Sequence, residues 1–308
     1  MQLVALIGVW YRRRMHATHR SISGADDLAL NVVDWGGHGV PLLFVHGYGH
    51  NAHLWDALVP DFADRYRVLA LDNRGHGGSD SDPEYRYHNA AIARDVEAVI
   101  DQLQLEKVVL VGHSQGGHAC LRFAGRHPER MSRLVLADAG PDIPAAGGGA
   151  PPASLRLLAA SFETVAVYEA ILAEIYPLLA AKHRALLAEH SLRPTQDGHF
   201  VPRLDRRFLR RESKPSAETR VEFDRQAWVE KENARIWHYL ERITCPTLVV
   251  HGEHSPLLAA QTVRRMVDDV LADARAVAIP AAGHALMLDN PAAFRAALLE
   301  FLLDEQSG

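Results

Sequence analysis

The sequence predicts an α/β protein with a mostly parallel, doubly wound sheet and a helical segment inserted between two parts of that sheet. Three observations support this class. Short apolar runs of the kind buried in parallel sheets alternate with stretches of helical apolar spacing. One such run enters a helix through a glycine-rich turn, in the sequence VVLVGHSQGG at 108–117. The strand–helix alternation stops near residue 140 and resumes near residue 245, with a helical pattern between.

The predicted elements follow a regular order. Residues 21–34 form two strands around a turn at Gly24, because Leu28, Leu30 and Val32 alternate with other residues. Apolar runs predict further strands at 41–45, 67–71, 107–111, 133–137, 245–251 and 274–279. Helices are predicted at 54–62, 89–103, 259–270 and 291–303, and directly after the turn at 112–116. We therefore predict one core over 21–140 and 245–308, with a helical insertion over 141–244 that begins as a Pro-, Gly- and Ala-rich linker and contains no convincing strand.

The composition narrows the classes of partner. With 308 residues, 48% hydrophobic and 23% charged, the chain can bury one large core and an accessory lobe. Its formal net charge of -5 includes no basic stripe, so we expect a small-molecule substrate and no nucleic acid. Two cysteines, Cys120 and Cys245, provide neither a disulfide framework nor zinc spacing, which suits a cytoplasmic protein. The composition carries no information on oligomeric state.

The N-terminal segment is apolar over 1–11 and is followed by Arg12, Arg13 and Arg14. The run is too short to span a bilayer. Its charges follow the apolar residues, and no small-residue cleavage site comes after them, unlike a signal peptide. We therefore expect an N-terminal extension over 1–20 and no stable membrane insertion.

Ser114 lies at the apex of the predicted strand–turn–helix. Gly112 and Gly116 flank it at two residues on either side, where a Cβ atom would collide as strand gives way to helix. Such a turn holds the hydroxyl over the carboxyl end of a sheet and directs the first N–H groups of the helix toward its target. An ordinary turn with a serine N-cap has the same pattern, so a nucleophile at Ser114 requires a base elsewhere in the chain.

His284 is the candidate base, since a serine hydroxyl becomes a good nucleophile when an imidazole takes its proton. The chain has 18 histidines, and His284 is the one in a suitable context, because it follows a predicted strand and a turn at Pro280 and precedes the final helix. This order puts His284 on a loop at the carboxyl edge of the sheet, where Ser114 is also expected.

Taken together, these motifs resemble the α/β-hydrolase family. The matching residues are His46-Gly47 after a strand, the glycine-dense loop 72–80, the GHSQGG turn and Gly283-His284. The resemblance implies an α/β-hydrolase fold with a helical cap at 141–244, Ser114 as nucleophile and His284 as general base. It also implies an oxyanion hole formed by the backbone N–H groups of Tyr48 and Gln115, and neither cofactor nor metal ion.

The acidic residue that orients the catalytic histidine in this family is not at its usual position in this chain. An aspartate is usual a few residues after Gly252, and Ser255 occupies that position here. Two carboxylates remain as alternatives: Asp138, which ends a predicted strand, and Glu253, which follows the glycine directly. We favour Asp138 because the acid must reach His284 from the sheet edge without disturbing the orientation of the imidazole.

Two other histidines have a spacing that suggests a metal. His50 and His53 would share one face only if they lay on a helix, and the sequence shows no third ligand near them. We therefore predict no metal site.

The residues favour hydrolysis of a carboxylic ester or lactone of a small or medium apolar substrate through an acyl-enzyme. Leu257, Leu258, Leu286 and Met287 are candidates for an apolar wall. One alternative is hydrolysis of a carbon–carbon bond in a vinylogous diketone, although relatives of that kind carry tryptophan after the catalytic histidine, where this chain has Ala285. The other is a non-catalytic binding protein, to which the displaced acid points.

Overall fold

The computed structural model describes residues 17–142, 153–209 and 225–303. The apolar N-terminal run and most of the predicted linker lie outside these residues. Within the described ranges, no helix is both long enough and apolar enough to cross a membrane.

The ten described strands form one large sheet and one small one. They are β1 (Thr18–Ser23), β2 (Ala29–Gly36), β3 (Val40–Val45), β4 (Tyr66–Leu71), β5 (Val108–His113), β6 (Met131–Ala137), β7 (Leu192–Pro194), β8 (Phe200–Pro202), β9 (Thr247–Gly252) and β10 (Ala274–Ile279). The large sheet has the order β1-β2-β4-β3-β5-β6-β9-β10. Within this sheet, only the pairs β1–β2 and β2–β4 are antiparallel among the described strands, which confirms the predicted mostly parallel sheet.

The central strands are buried because both faces of the sheet are covered. Leu42 and Phe44 point into one apolar cluster, and Leu43 and Val45 point into the other. All four are fully buried. The same alternation holds along β5 and β6, since successive side chains of a strand face opposite sides. Continuous apolar runs are therefore what these strands require.

The helices of the core are α1 (Val59–Phe62), α2 (Asn89–Gln102), α3 (Gln115–Arg126), α8 (Ala260–Arg264), α9 (Leu286–Asp289) and α10 (Pro291–Leu303). The predicted helix at 54–62 is in fact a 3-10 turn, Ala52–Trp55, followed by the short α1. Pro60 contributes to this break, because it has no N–H with which to continue a helical hydrogen-bond ladder.

The inserted segment contains α4 (Ala153–Leu157), α5 (Val165–Ile175), α6 (Ala181–Ser191) and α7 (Arg225–Leu240). It also contains β7 and β8, which the sequence did not suggest. Each of these strands has only three residues, too few for a readable alternation. Gly198, in the turn between them, has a φ of +83° that favours glycine.

Helix α7 packs on the core helix α3. Ile236 and Leu240 belong to the same apolar cluster as Leu121, and Arg122 forms a buried ion pair with Glu232. The first strand begins at Thr18, inside the segment expected to be an N-terminal extension. The division into a core and a cap at 141–244 stays a prediction.

Candidate active site

The glycine-rich turn joins β5 to α3 at Ser114, which has a φ of +53° and a ψ of -120°. This backbone conformation is rare for a residue with a side chain and is typical of strained functional turns. A Cβ atom at Gly112 would lie 2.6 Å from the Cα atom of Gly117, and one at Gly116 would lie 2.3 Å from the carbonyl oxygen of Val45. Both positions therefore require glycine.

Three side chains named from the sequence form a continuous hydrogen-bonded chain. The Nε2 atom of His284 lies 2.8 Å from the Oγ atom of Ser114. Its Nδ1 atom lies 2.6 Å from the Oδ2 atom of Asp138. The carboxylate side chain is fully buried, whereas the imidazole is 29% exposed. With Nδ1–H donated to the carboxylate, Nε2 is left to accept the serine proton.

The ends of neighbouring strands bring nucleophile and acid together. Asp138 directly follows β6, and its N–H donates to the carbonyl oxygen of Val250 in β9 at 2.7 Å. The N–H of Ser114 donates to the carbonyl oxygen of Ala137 at 3.0 Å. Because β5, β6 and β9 are parallel neighbours, their carboxyl ends lie at one edge of the sheet.

Ser255 contacts the carboxylate at Asp138. Its Oγ atom donates to Oδ2 at 2.5 Å, and the N–H of Gly252 donates to Oδ1 at 3.3 Å. Ser255, at the position where the resemblance implies an aspartate, is therefore a hydrogen-bond donor to the carboxylate of Asp138. This role of Ser255 was not predicted, although a hydroxyl at the expected acid position is a signal for it.

Glu253, the alternative acid, is directed elsewhere. Its Oε2 atom accepts a hydrogen bond from the N–H of Ala281 at 2.9 Å, and its side chain is 54% exposed. The carboxylate that contacts His284 belongs to Asp138.

Tyr48 and Gln115 line the same cavity as Ser114. In the described part of the chain, neither backbone N–H has a hydrogen-bond acceptor, so both are available to an oxygen atom beside the serine. Gly47 allows the loop to approach the turn, because a Cβ atom there would lie 2.7 Å from the Nδ1 atom of His113. This arrangement is suited to the stabilisation of an oxyanion.

Two buried histidines hold the loop that carries Tyr48. The Nε2 atom of His46 accepts from the N–H of Asn73 at 2.9 Å. The Nε2 atom of His76 accepts from the N–H of Gly49 at 3.1 Å. Burial lowers the pKa of each imidazole to about 3. Both rings therefore stay neutral near pH 7 and keep an acceptor nitrogen toward the loop.

His113 contacts both the backbone and the ring of His284, the candidate base. Its Nε2 atom lies 2.9 Å from the carbonyl oxygen of His284, and the two ring centroids are 4.7 Å apart. Burial, together with the nearby His284, lowers the pKa of His113 well below its usual range. A neutral ring here orients the loop without opposing the positive charge that a base acquires. This role of His113 has no signal in the sequence beyond its place beside Ser114.

The glycine-dense loop 72–80 is held by charged side chains. The Nε atom of fully buried Arg74 lies 2.6 Å from Asp95, and its Nη1 atom lies 3.0 Å from both Asp82 and Asp26. The Oδ1 atom of Asp72 accepts from the N–H of Ala52 at 2.6 Å. These contacts join the loop to the helices and turns beneath the candidate site.

The cavity at Ser114 has a volume of about 180 Å³. Besides the three hydrogen-bonded side chains, it is lined by Tyr48, Asn89, Gln115, His118, Gly140 and Leu257. The Oε1 atom of Gln115 and the Nδ1 atom of His118 are buried and have no partner among the described residues. Burial lowers the pKa of His118 to about 4, so this ring is a neutral group near pH 7.

The predicted apolar wall is only partly present. Leu257 lines the cavity. The other three candidates, Leu258, Leu286 and Met287, are buried in the apolar clusters on either side of the sheet. The cavity is therefore more polar than the sequence suggested.

Comparison with known proteins gives a match to a family model described as the alpha/beta hydrolase fold, over residues 40–291. A 2-(acetamidomethylene)succinate hydrolase of Mesorhizobium japonicum is 28% identical over 275 residues, which cover 89% of this chain and 92% of the relative. A 2-hydroxymuconate semialdehyde hydrolase of a Pseudomonas species is 28% identical over 286 residues, which cover 91% of this chain and 92% of the relative.

A solved structure shows the same likeness. The crystal structure of an E-2-(acetamidomethylene)succinate hydrolase superimposes with a TM-score of 0.70 at 26% sequence identity. The alignment covers 94% of this chain and 100% of that chain.

Proposed function

The chain belongs to the α/β-hydrolase fold family, and on that premise we propose that it is a serine hydrolase in which Ser114 attacks a carbonyl carbon of a small-molecule substrate. The observation that carries this proposal is the hydrogen-bonded chain from Asp138 through His284 to Ser114. A serine, an imidazole and a buried carboxylate in this order can generate a nucleophile at neutral pH.

In the first half of the proposed reaction, the Oγ atom of Ser114 bonds to the carbonyl carbon while Nε2 of His284 takes its proton. Asp138 keeps the Nδ1–H in place and stabilises the imidazolium that forms. The carbonyl oxygen becomes an oxyanion that accepts from the N–H groups of Tyr48 and Gln115. Collapse of this intermediate expels the leaving group, which receives the proton from His284, and leaves an acyl-enzyme.

In the second half, a water molecule attacks the acyl carbon while His284 takes one of its protons. The second oxyanion collapses to the free acid, and Ser114 recovers its proton from Nε2. The full cycle consumes one water molecule and needs only the groups of the protein.

For the substrate, the first candidate is a carboxylic ester or lactone of small or medium size. A cavity of about 180 Å³ suits a short acyl group. Leu257 supplies one apolar surface, while Asn89 and Gln115 add polar groups. The pocket therefore favours an acyl group that is short and carries some polarity over a long hydrocarbon chain.

The second candidate is hydrolysis of a carbon–carbon bond in a vinylogous diketone. The names of two relatives refer to a muconate semialdehyde and an acetamido-substituted succinate, and neither of these compounds is a carboxylic ester. The Nδ1 atom of His118, which has no partner among the described residues, can donate to the second oxygen of such a substrate in the tautomer that carries its hydrogen there. Ala285, where relatives acting on diketones have tryptophan, argues in the other direction.

A fluorophosphonate probe tests whether the serine is activated. We expect wild-type protein to gain one probe per chain, and peptide mass spectrometry to locate it on Ser114, because only a serine with an adjacent base reacts rapidly. Ser161, exposed in the inserted segment, provides the matched control, and Ser161→Ala should be labelled like wild type. An unlabelled wild-type protein would contradict the proposal and favour a non-catalytic binding protein.

A substrate panel distinguishes the two candidates. We expect kcat/KM for p-nitrophenyl acetate or butyrate to exceed that for the decanoate by roughly tenfold or more, since the cavity has no room for the longer chain. The same preparation is then offered a vinylogous diketone, and its decay is followed by the loss of conjugated absorbance. If the diketone has the higher kcat/KM, the ester assignment is wrong and the second candidate replaces it.

A further inference from the structure

A second cluster of polar groups lies away from Ser114, where the inserted segment meets the core. His53 is in the 3-10 turn Ala52–Trp55, Asp56 follows that turn, and His190 is near the end of α6. One potential ligand atom from each of the three lies within 4.8 Å of the others. The two histidines are far apart in sequence, so only the fold brings them together.

Two contacts hold the cluster. The Nδ1 atom of His53 lies 3.1 Å from both carboxylate oxygens of Asp56. The imidazole rings of His53 and His190 are stacked, with centroids 3.5 Å apart and planes inclined by 9°. Because the lone pairs of an imidazole lie in the plane of its ring, one ring must rotate out of the stack before nitrogens of both can face one ion.

The backbone that carries both histidines is also fixed. The buried side chain of Asn51 accepts from the N–H of His53 at 2.9 Å and donates to the carbonyl oxygen of His190 at 3.1 Å. This one amide therefore bridges the core turn and helix α6. A backbone that needs little ordering lowers the entropic cost of binding an ion.

His53 has an unsatisfied group. Its side chain is only 9% exposed. Its Nε2 atom is buried and has no hydrogen-bond partner among the described residues. Its Nδ1 atom faces the carboxylate at 3.1 Å, which is the spacing expected for two ligands of one ion, because atoms about 2.1 Å from the same metal lie roughly 3 Å apart. In the tautomer that carries its hydrogen on Nε2, Nδ1 offers its lone pair to such an ion.

A cavity beside the cluster gives a metal ion a route to it. His53 and Asp56 line a cavity of about 420 Å³, formed also by residues of α6 and α10, and it shares no lining residue with the cavity at Ser114. An ion or its waters can reach the cluster through this space. The cysteines Cys120 and Cys245 are both buried and so offer little competition for a metal ion.

We propose that His53, Asp56 and His190 bind one divalent transition-metal ion, which ties α6 of the inserted segment to the core. Two imidazoles and one carboxylate suit Zn²⁺, Co²⁺ or Ni²⁺ better than Ca²⁺ or Mg²⁺, which prefer oxygen ligands. Coordination at about 2.0–2.2 Å gathers the three donor atoms, which lie within 4.8 Å of one another here, around one ion, and water completes the shell. The ion has no part in the proton transfers at Ser114.

The test uses the full-length, tag-free protein after chelator treatment and desalting. Titration calorimetry with ZnCl₂ is expected to show one saturable equivalent per chain. We expect His53→Gln and His190→Gln each to weaken binding by at least about tenfold, because each removes one ligand. His199, which is 48% exposed and outside the cluster, is the control, and His199→Gln should bind Zn²⁺ like wild type.

Thermal unfolding gives an independent readout. Saturating Zn²⁺ should raise the Tm of wild type and of His199→Gln by several degrees, and leave that of His190→Gln unchanged, since an ion that binds only the folded state stabilises it. Asp56→Asn serves as a second ligand variant if a histidine variant does not fold. The visible absorption of Co²⁺ added to wild type supplies a readout that needs no variant.

Two results would overturn the proposal. One is the lack of a saturable equivalent of Zn²⁺, together with an unaltered Co²⁺ spectrum, in wild type. The other is unchanged affinity in folded His53→Gln and His190→Gln, which would assign the ion to other histidines. Neither result bears on the serine hydrolase, whose test is the labelling of Ser114.

Discussion

Replacement of Ser114 by alanine is expected to lower kcat for p-nitrophenyl butyrate by about 10⁵- to 10⁶-fold, because no other group can form the acyl-enzyme. The remaining rate should come only from substrate binding and from the N–H groups of Tyr48 and Gln115, which the substitution leaves in place. The measurement is the steady-state rate of nitrophenolate release, compared with the spontaneous rate in the same buffer.

The fold should survive this change. Alanine retains the Cβ atom of serine, so the contacts of the turn with Gly47 and Gly112 persist, and the far-UV circular dichroism and Tm should match wild type. Ser161→Ala, which alters an exposed hydroxyl of the inserted segment, should retain full activity. A Ser114→Ala protein with activity near that of wild type would contradict the mechanism.

Asp138→Asn is expected to lower kcat by about 10⁴-fold with a much smaller change in KM. The carboxylate accepts the Nδ1–H of His284 at 2.6 Å. An asparagine amide can instead donate to Nδ1, which moves the imidazole proton to Nε2. The ring then presents an N–H to Ser114 and cannot take its proton, although the substrate pocket is unchanged.

Glu253→Gln is the matched control for this experiment. It makes the same chemical change in the other candidate acid, whose carboxylate accepts from the N–H of Ala281. We expect its kcat to stay within a few-fold of wild type. The assignment of the acid to Asp138 would be wrong if Glu253→Gln lost activity while Asp138→Asn retained it.

The carboxylate of Asp138 explains why a serine is suitable at position 255, where the family usually has an aspartate. An aspartate at 255 beside Asp138 would put two carboxylates around one imidazole, and like charges this close repel strongly. A serine instead donates to Oδ2 of Asp138 at 2.5 Å, so it adds a hydrogen bond where a second acid would add repulsion. The acid at the end of β6 and the serine in the following loop thus form a compatible pair.

Much of the fold and of the candidate site could be predicted because the relevant signals are local. A parallel strand that is buried on both faces is apolar along most of its length, so the run 108–113 by itself predicts a strand covered on both sides. A serine two residues from glycines on either side indicates a tight strand-to-helix turn, since the crowding occurs within the same few residues. His284 could be located at the sheet edge because chain order alone puts it after a strand and before a helix.

Other features depended on distances that no local pattern contains. Asp138 and Glu253 were both acceptable acids by sequence, and only the ends of β6 and β9 decided which carboxylate contacts His284. Leu286 and Met287 are apolar, so by sequence they fit the wall of a pocket and the protein core equally well. The packing of α9 places them in the core.

The cluster of His53, Asp56 and His190 is the clearest example of a contact that no local sequence pattern predicts. The sequence alone determined the sheet, the turn at Ser114 and the histidine that faces it, because steric and hydrophobic rules act over a few neighbouring residues. The tertiary structure decided which acid, which lining and which distant histidine come into contact. Those contacts arise from chain segments far apart in sequence, whose approach is set by the packing of the whole sheet and its helices.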